Sequence, residues 1–140
     1  SMLDYDAVYT LWLHTPGMGL NATDDSREGI DRYIRRNPTT CFVAEVDGSI
    51  IGVILSGHDG RRGYIHHMAV DMSSRRQGIG STLLEQALSA LKAEGITKVA
   101  LVVFARNQLG NAFWEKHGFT TRDDILYRNR ELLTLQYIKT

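Results

Sequence analysis

The sequence predicts an α/β fold of the mixed α+β kind, one sheet with helices on both sides, and three observations carry that expectation. Two apolar runs, 41–46 and 50–56, meet across Asp47-Gly48, a pair that favours the positive φ of a tight hairpin and makes the runs antiparallel neighbours. A third apolar strand, 64–70, passes through a turn with two glycines into an amphipathic helix. Residues 98–104 then form a continuous apolar run, as expected of a strand covered on both faces and lying parallel to the central one.

In chain order, a helix over 4–14 comes first, with Val8, Leu11 and Trp12 on one face and Tyr5 a turn earlier. Thr15-Pro16-Gly17-Met18-Gly19-Leu20 breaks it. A second helix over 26–35 gathers Ile30, Tyr33 and Ile34 and ends at Asn37-Pro38, because a residue before proline is driven out of the helical region. After the hairpin, residues 57–63 read as a polar loop into the central strand. The third helix carries Ile79, Leu83, Leu84, Ala87, Leu88 and Leu91 at the spacing of a helix packed on a sheet, and Glu94-Gly95 stops it. Residues 107–117 form a last helix closed by Gly118, and the remainder, through Tyr127 and 132–138, reads as a terminal hairpin. No repeat or low-complexity linker appears, so residues 1–140 are expected to form one domain.

Composition removes several function classes. At 43% hydrophobic the chain can bury one substantial core, and its sixteen basic and sixteen acidic residues cancel, leaving no global field to recruit nucleic acid or an anionic membrane. The single cysteine, Cys41, sits in an apolar run and reads as a buried small hydrophobe; no disulfide can form within the chain. No long apolar stretch and no signal-peptide pattern is present, which makes the cytoplasm the expected compartment. Ser1 ahead of Met2 reads as a cloning remnant.

The turn from the central strand into the third helix is chemically the most informative segment. Gly78 and Gly80 remove Cβ atoms that would hold a ligand off the backbone, and the helix start offers free N–H groups and the positive end of its dipole. Helix starts usually attract acidic side chains, yet residues 75–84 hold none, so the missing negative charge is expected from a ligand. Neither the lysine-bearing triphosphate loop nor the dinucleotide fingerprint matches, since no Gly-Lys-Ser/Thr and no second glycine pair follow. The competing reading is an ordinary strand-to-helix turn whose glycines serve geometry alone.

Arg75-Arg76-Gln77-Gly78-Ile79-Gly80 resembles the Arg/Gln-x-x-Gly-x-Gly/Ala acyl-CoA loop of the GNAT superfamily of N-acetyltransferases. Ile65-His66-His67-Met68-Ala69-Val70-Asp71 resembles its central strand, and NQLGNAFWEKHGF, residues 107–119, its closing segment. The three motifs stand in the family's order, the looser resemblance spans residues 12–127, and it is nearest to a bacterial subgroup of small GNAT proteins. The resemblance implies the GNAT-like acyl-CoA N-acyltransferase fold, with strands splayed between the central strand and its parallel neighbour. It implies acetyl-CoA as co-substrate and no metal. It places Met68, Ala69 and Val70 beside pantetheine and the thioester, and the amides of Arg76, Gln77, Gly78, Ile79, Gly80 and Ser81, in the loop that Arg75 opens, on the pyrophosphate. Asn107, which also suits a helix N-cap, and Trp114, seven residues later, stand at the family's asparagine and tyrosine positions against the cofactor arm. The acceptor pocket is implied at 15–21 and the terminal hairpin. One departure is visible: the family's first strand is short or missing here, so another element covers the open sheet edge or the natural chain starts further upstream.

The implied reaction moves the acetyl group of acetyl-CoA to a primary amine of a small molecule or protein by direct attack in a ternary complex. A lysine-like ammonium near pKa ~10.4 is only about one part in a thousand neutral at pH 7, so a base must take its proton. His66 is the candidate, because Tyr64, two residues away on the same face, aligns with a position where some family members hold a catalytic glutamate; water-mediated transfer is the alternative. Alternation along a strand also sends His66 and His67 to opposite faces, which argues against a shared metal ion. The oxyanion needs a fixed donor, which a strand amide can supply. The leaving sulfur commonly takes its proton from the tyrosine that Trp114 replaces, leaving Tyr64 and Tyr127 as substitutes. Trp114 and Trp12 are candidates for an aromatic wall. The expected partners are acetyl-CoA and an amine acceptor, with a homodimer admissible and neither nucleic acid nor membrane involved. An acyl-CoA-binding domain with little or no catalysis, and a nucleotide-binding regulator, are the alternatives.

Overall fold

The computed structural model describes all 140 residues. A single 3-10 turn, Met2–Asp4, leads into helix α1, Tyr5–Leu13, and strand β1, Leu20–Asn21, follows the Pro-Gly loop. Helix α2, Arg27–Arg36, begins at Ser26, whose hydroxyl accepts the Gly29 amide at 3.0 Å and satisfies one of the free donors of the first turn. Strands β2 (Phe42–Val46), β3 (Ser49–His58) and β4 (Gly63–Val70) pair antiparallel in sequence. Helix α3, Ile79–Ala93, returns the chain so that β5, Val99–Leu101, adds to β4 in parallel, giving the sheet order β2-β3-β4-β5. Helix α4, Gln108–Lys116, and strand β6, Tyr137–Ile138, complete the chain, with β6 antiparallel to β1 in a separate two-stranded sheet.

The sheet separates two apolar clusters. On one side Val8, Leu11 and Trp12 of α1 and Ile30 of α2 pack against Val53 and Leu55 of β3 and Ala69 of β4. On the other, Leu83, Leu84 and Ala87 of α3 cover Ile54 and Ile65, with Phe113 and Trp114 of α4 against the same cluster. This is the two-sided mixed sheet that the hydrophobic pattern predicts. No helix is long and apolar enough to cross a membrane.

Several expectations change. Strand β5 ends at Leu101, and Val102 and Phe104 are 55% and 42% exposed, so the run 98–104 is not a strand buried on both faces. Its parallel pairing with β4 covers only Gly63↔Val99, Tyr64↔Ala100 and Ile65↔Leu101, after which the two strands part. The terminal hairpin does not form: residues 120–136 hold no helix or strand, and only β6 pairs, on the unforeseen β1. The terminal segment pairs only through Tyr137 and Ile138, on Asn21 and Leu20, and Leu132 and Leu133 remain 92% and 75% exposed. Residues 57–63 are less of a loop than expected, since His58 still pairs with Gly63 and only the four residues between them turn. No strand precedes α1; the outer edge of β2 is left unpaired and carries Glu45, a charge that discourages strand addition there.

The alternation of β4 is also broken. Leu55 pairs with His67 and the next residue, Ser56, with Ile65, so His66 is the extra residue of a β-bulge. The expected opposition of His66 and His67 therefore fails. The His66 ring meets Tyr33 of α2 at 5.2 Å between centroids, and the His67 ring meets Trp12 of α1 at 4.9 Å, both on the α1/α2 side.

Candidate active site

The strand-to-helix turn is built by backbone conformation. After a 3-10 turn at Met72–Ser74, Arg76 and Gly78 both take left-handed φ, 66° and 78°, and Gly78 is the N-cap of α3 without any side-chain capping bond. Beyond Arg75, Thr82 is the first residue whose amide finds a partner, the Gly78 carbonyl at 3.0 Å. From Arg76 to Ser81 six consecutive amides donate to no acceptor in the protein. Two left-handed residues within three positions give the turn its tight course, and the α3 dipole adds its positive end; no acidic residue lies in the first turn. Such a run of unpaired donors fits an anionic group carrying several oxygens.

The two glycines play different parts. A Cβ on Gly78 would meet nothing within 4 Å, so this position does leave the backbone open, as expected. A Cβ on Gly80 would stand 3.3 Å from Met68 Cε and from Phe113 Cε1. Gly80 thus serves the close approach of α3 to β4 and α4, which corrects its assignment as open surface. Arg75 folds back, its Nε–H donating to the Val70 carbonyl at 3.2 Å, while the Arg76 and Gln77 side chains are exposed. Ser81 faces α4, its hydroxyl 3.0 Å from His117 Nε2.

From this cradle the open edge of β4 leads to the split. Met68, Ala69 and Val70 pair with Ile54, Val53 and Gly52 of β3 on one side and have no β5 partner on the other. Asn107 caps α4 by accepting the Gly110 amide at 2.9 Å, and its Nδ2 approaches Gly17. Pro16, Gly17, Phe104, Asn107 and Leu109 line a cleft of about 310 Å³ there, with the Arg106 guanidinium 4.2 Å over the Phe104 ring. Trp114 is not in this wall. Its ring packs on Phe113 at 5.0 Å and Phe119 at 5.3 Å in the α3-side cluster, whereas Trp12 is fully buried in the other, so the two tryptophans share no surface.

On the α1/α2 side of the split, His66 lies between aromatic rings, Tyr64 at 4.6 Å and Tyr33 at 5.2 Å. His66 is exposed as a residue, yet the flanking rings partly desolvate the imidazole; that, with neighbouring His67, holds its pKa below the ordinary 6.5. Burial raises the Tyr64 phenol, with a smaller push from Tyr127, so Tyr64 stays protonated at neutral pH. Tyr127 is exposed, in the segment without regular structure. Cys41 is largely buried and gives its S–H to the Ser56 carbonyl at 3.2 Å; burial pushes its thiol up to about 11. His67 is the residue that sequence reasoning undervalued. It bonds Asp25, a partner 42 residues away that no local pattern reveals. The bulge also removes the alternation argument against a shared metal ion; no group of three or more His, Cys, Asp or Glu side chains gathers in the structure.

The sequence profile of the acetyltransferase (GNAT) family matches residues 5–119. An acetyltransferase of Pectobacterium atrosepticum is 31% identical over 134 residues, 96% of this chain and 94% of its own length. Among solved structures, Ard1 from Thermoplasma volcanium superposes with a TM-score of 0.74 at 28% identity, covering 86% of this chain and 78% of that one. The PaiA N-acetyltransferase of Thermoplasma acidophilum, solved in complex with coenzyme A, shares the fold with a TM-score of 0.75 at 21% identity, covering 88% and 87%. A profile match over most of the chain, on a mixed sheet that opens beside a cradle of free amides, makes this chain a member of the GNAT family of acetyltransferases.

Proposed function

We propose that the protein is an N-acetyltransferase that moves the acetyl group of acetyl-CoA to a primary amine of a small molecule or protein by direct attack in a ternary complex. The observation that carries this reading is the run of six unpaired amides, Arg76 to Ser81, beside a strand edge that opens at Ile65. When bound, acetyl-CoA supplies the activated acetyl group. The residues of the chain divide the remaining work. The amides of Arg76, Gln77, Gly78, Ile79, Gly80 and Ser81 hold the diphosphate, with the α3 dipole behind them. The free edge of Met68, Ala69 and Val70 offers backbone groups to the pantetheine amides, and a β4 N–H polarises the acetyl carbonyl. Asn107, the N-cap of α4, contacts the cofactor arm in this reading, as the family resemblance implies.

His66 takes the proton of the attacking ammonium. Desolvation keeps its imidazole neutral at pH 7, and the bulge sets it just past the last β4–β5 pair. Proton return to the sulfur falls to Tyr64, whose ring touches His66, or to Tyr127. A thiol with pKa near ~8.5 leaves tolerably as a thiolate, so the acid is the lesser need. Trp114, packed between Phe113 and Phe119, leaves no phenol at the usual tyrosine position. That observation supports the second reading, an acyl-CoA-binding domain with little catalysis.

Titration calorimetry with acetyl-CoA, CoA, ATP and NAD, followed by free-thiol release with a panel of amines, tests both readings. Binding of the two CoA species alone, with amine-dependent thiol release, is the expected result. Equal affinity for ATP would remove the acyl-CoA assignment, and CoA binding without turnover on any amine would favour the binding domain.

A further inference from the structure

Asp25 and His67 lie inside the protein, with side chains only 6% and 10% exposed. His67 Nε2 and Asp25 Oδ1 are 2.7 Å apart, and Asp25 Oδ2 accepts the Asn21 amide at 2.8 Å. The Asp25 carbonyl accepts the Tyr5 hydroxyl at 2.6 Å. Asn21 in turn pairs with Tyr137 across β1 and β6, and its Oδ1 accepts the amides of Thr23 and Asp24 at 3.0 and 2.7 Å. Through its carboxylate and its main-chain carbonyl, Asp25 therefore joins α1, the strand β1 that pairs with the C-terminal strand, and the bulged strand β4.

This junction is expensive for a merely packed core. Two ionisable groups have left water, and a buried pair of this kind is often no more stabilising than apolar residues of the same volume. Two further polar atoms are buried without partners, Trp12 Nε1 and His67 Nδ1, on rings 4.9 Å apart. The neighbouring inward positions of β4, Ile65 and Ala69, are apolar. A histidine at 67 does something that an aliphatic residue there would not.

We propose that Asp25 and His67 are positioning residues: a buried strut that locks the loop between α1 and α2 onto the bulge of β4 and thereby fixes the place and the charge surroundings of His66. The inference rests on the reading of His66 as the base, and it adds two residues that never touch the acetyl group. The charged and titratable groups facing His66 are His67 and Tyr64 on its own strand, Tyr33 on α2, and Asp24 and Asp25 from the turn before α2. Of these, His67 lowers the affinity of His66 for a proton, and Asp25 and Asp24 raise it. The strut holds two opposing influences at set distances.

The test is NMR titration of the histidine rings, with amide exchange, on the wild-type chain and on His67→Gln and Asp25→Asn. In the wild type, the Asn21 amide should be protected and the His67 Nε2–H should exchange slowly. The His66 midpoint should shift upward in His67→Gln, which removes the neighbouring imidazole, and downward in Asp25→Asn, which removes the neighbouring carboxylate. Asn21 protection should survive in the first variant, which leaves the Asp25 carboxylate in place to accept that amide. A general loosening would admit water to His66 and move both midpoints upward. Shifts in the same direction, no shift in either, or an unprotected Asn21 amide in the wild type would overturn the proposal. The wild-type measurements stand even where a variant fails to fold. CoA affinity, read by calorimetry on the same samples, should be unchanged, so a failed strut is distinguishable from a failed cradle.

Discussion

Gly78→Ala separates the two demands that the cradle makes on one residue. Gly78 sits at φ 78°, ψ 9°, where an L side chain costs about 1–2 kcal/mol of backbone strain. No atom lies within 4 Å of the added methyl, so strain is the whole cost in the free protein. For a chain of this size that corresponds to a fall in Tm of roughly 3–8 °C. The methyl, however, stands beside the amides that would receive the diphosphate, and displacing one charge-assisted N–H···O bond costs about 1.5–3 kcal/mol. At about 1.4 kcal/mol per decade, CoA should bind roughly 10- to 100-fold more weakly. Gly80→Ala is the internal control. Its methyl would meet the Met68 and Phe113 side chains at 3.3 Å, so CoA affinity should stay within a few fold, while the strain there offsets the roughly 0.5–1 kcal/mol that alanine gains over glycine inside a helix. Scanning fluorimetry without ligand and calorimetry with CoA read the two effects separately. A Gly78→Ala protein that melts early yet binds CoA as tightly as the wild type would refute the assignment of these amides to the diphosphate.

Other outcomes follow from the same geometry. With His66 as base, kcat/KM should rise with pH through a midpoint below 6.5, because the desolvated ring gives up its proton more readily than free histidine. His66→Ala should abolish that limb and lose most activity at pH 7, and an unchanged profile would acquit the residue. The sign for stability is the same: the unfolded chain protonates His66 first, so stability declines as pH falls through 6.5, which acid titration of Tm in wild type and His66→Ala would detect. Trp114→Phe should destabilise by about 1–3 kcal/mol through lost packing and retain turnover; complete loss of turnover at preserved fold would show the indole in the chemistry. Cys41, with its thiol pushed up to about 11, should resist a maleimide at neutral pH until denaturant is added, and rapid labelling of native protein would contradict its burial.

The sequence carries the helices and the antiparallel hairpin because each is set by near neighbours. Ser26 before α2, Asp47-Gly48 in the hairpin and Gly95 behind α3 act within a few residues of where they stand. The parallel pairing of β5 is legible from its apolar run, but its length is not, since Val102 and Phe104 read as strand residues and only the parting of the sheet exposes them. The terminal segment misleads for a different reason: apolar residues near 132–138 suit a hairpin, yet Tyr137 and Ile138 pair with β1, a two-residue strand far earlier in the chain that no local pattern marks. At the site, the cradle is local and was legible as residues 75–81, whereas the different duties of Gly78 and Gly80 depend on Met68 and Phe113, far off in sequence. The faces of the two histidines were misread because a single inserted residue shifts every side chain after it by one position, and counting by twos assumes a regular strand.

The bulge and the parting of the sheet belong together. Up to Ile65, β4 is held on both edges, by β3 and by β5, and both of its faces are covered. Beyond Ile65 the β3 edge remains paired while the other is released, and the extra residue, His66, falls at that boundary. An unpaired edge in a strand with both faces buried is a costly thing to maintain, because its N–H and C=O groups are neither bonded nor freely hydrated. The two apolar clusters hold it in place: Ala69 is anchored from the α1 side and Ile65 from the α3 side, so β4 cannot swing to follow β5. What leaves instead is the chain after Leu101, and the exposed Phe104 lines a cleft with Pro16, Gly17 and Asn107. A ligand with amide groups along an extended arm and anionic oxygens at one end would satisfy the released edge and the six free amides at once. Neither feature alone selects such a molecule; an anion would suffice for the cradle and any strand for the edge. Their sequence along one strand, edge first and cradle a turn later, is what a carrier of that shape requires.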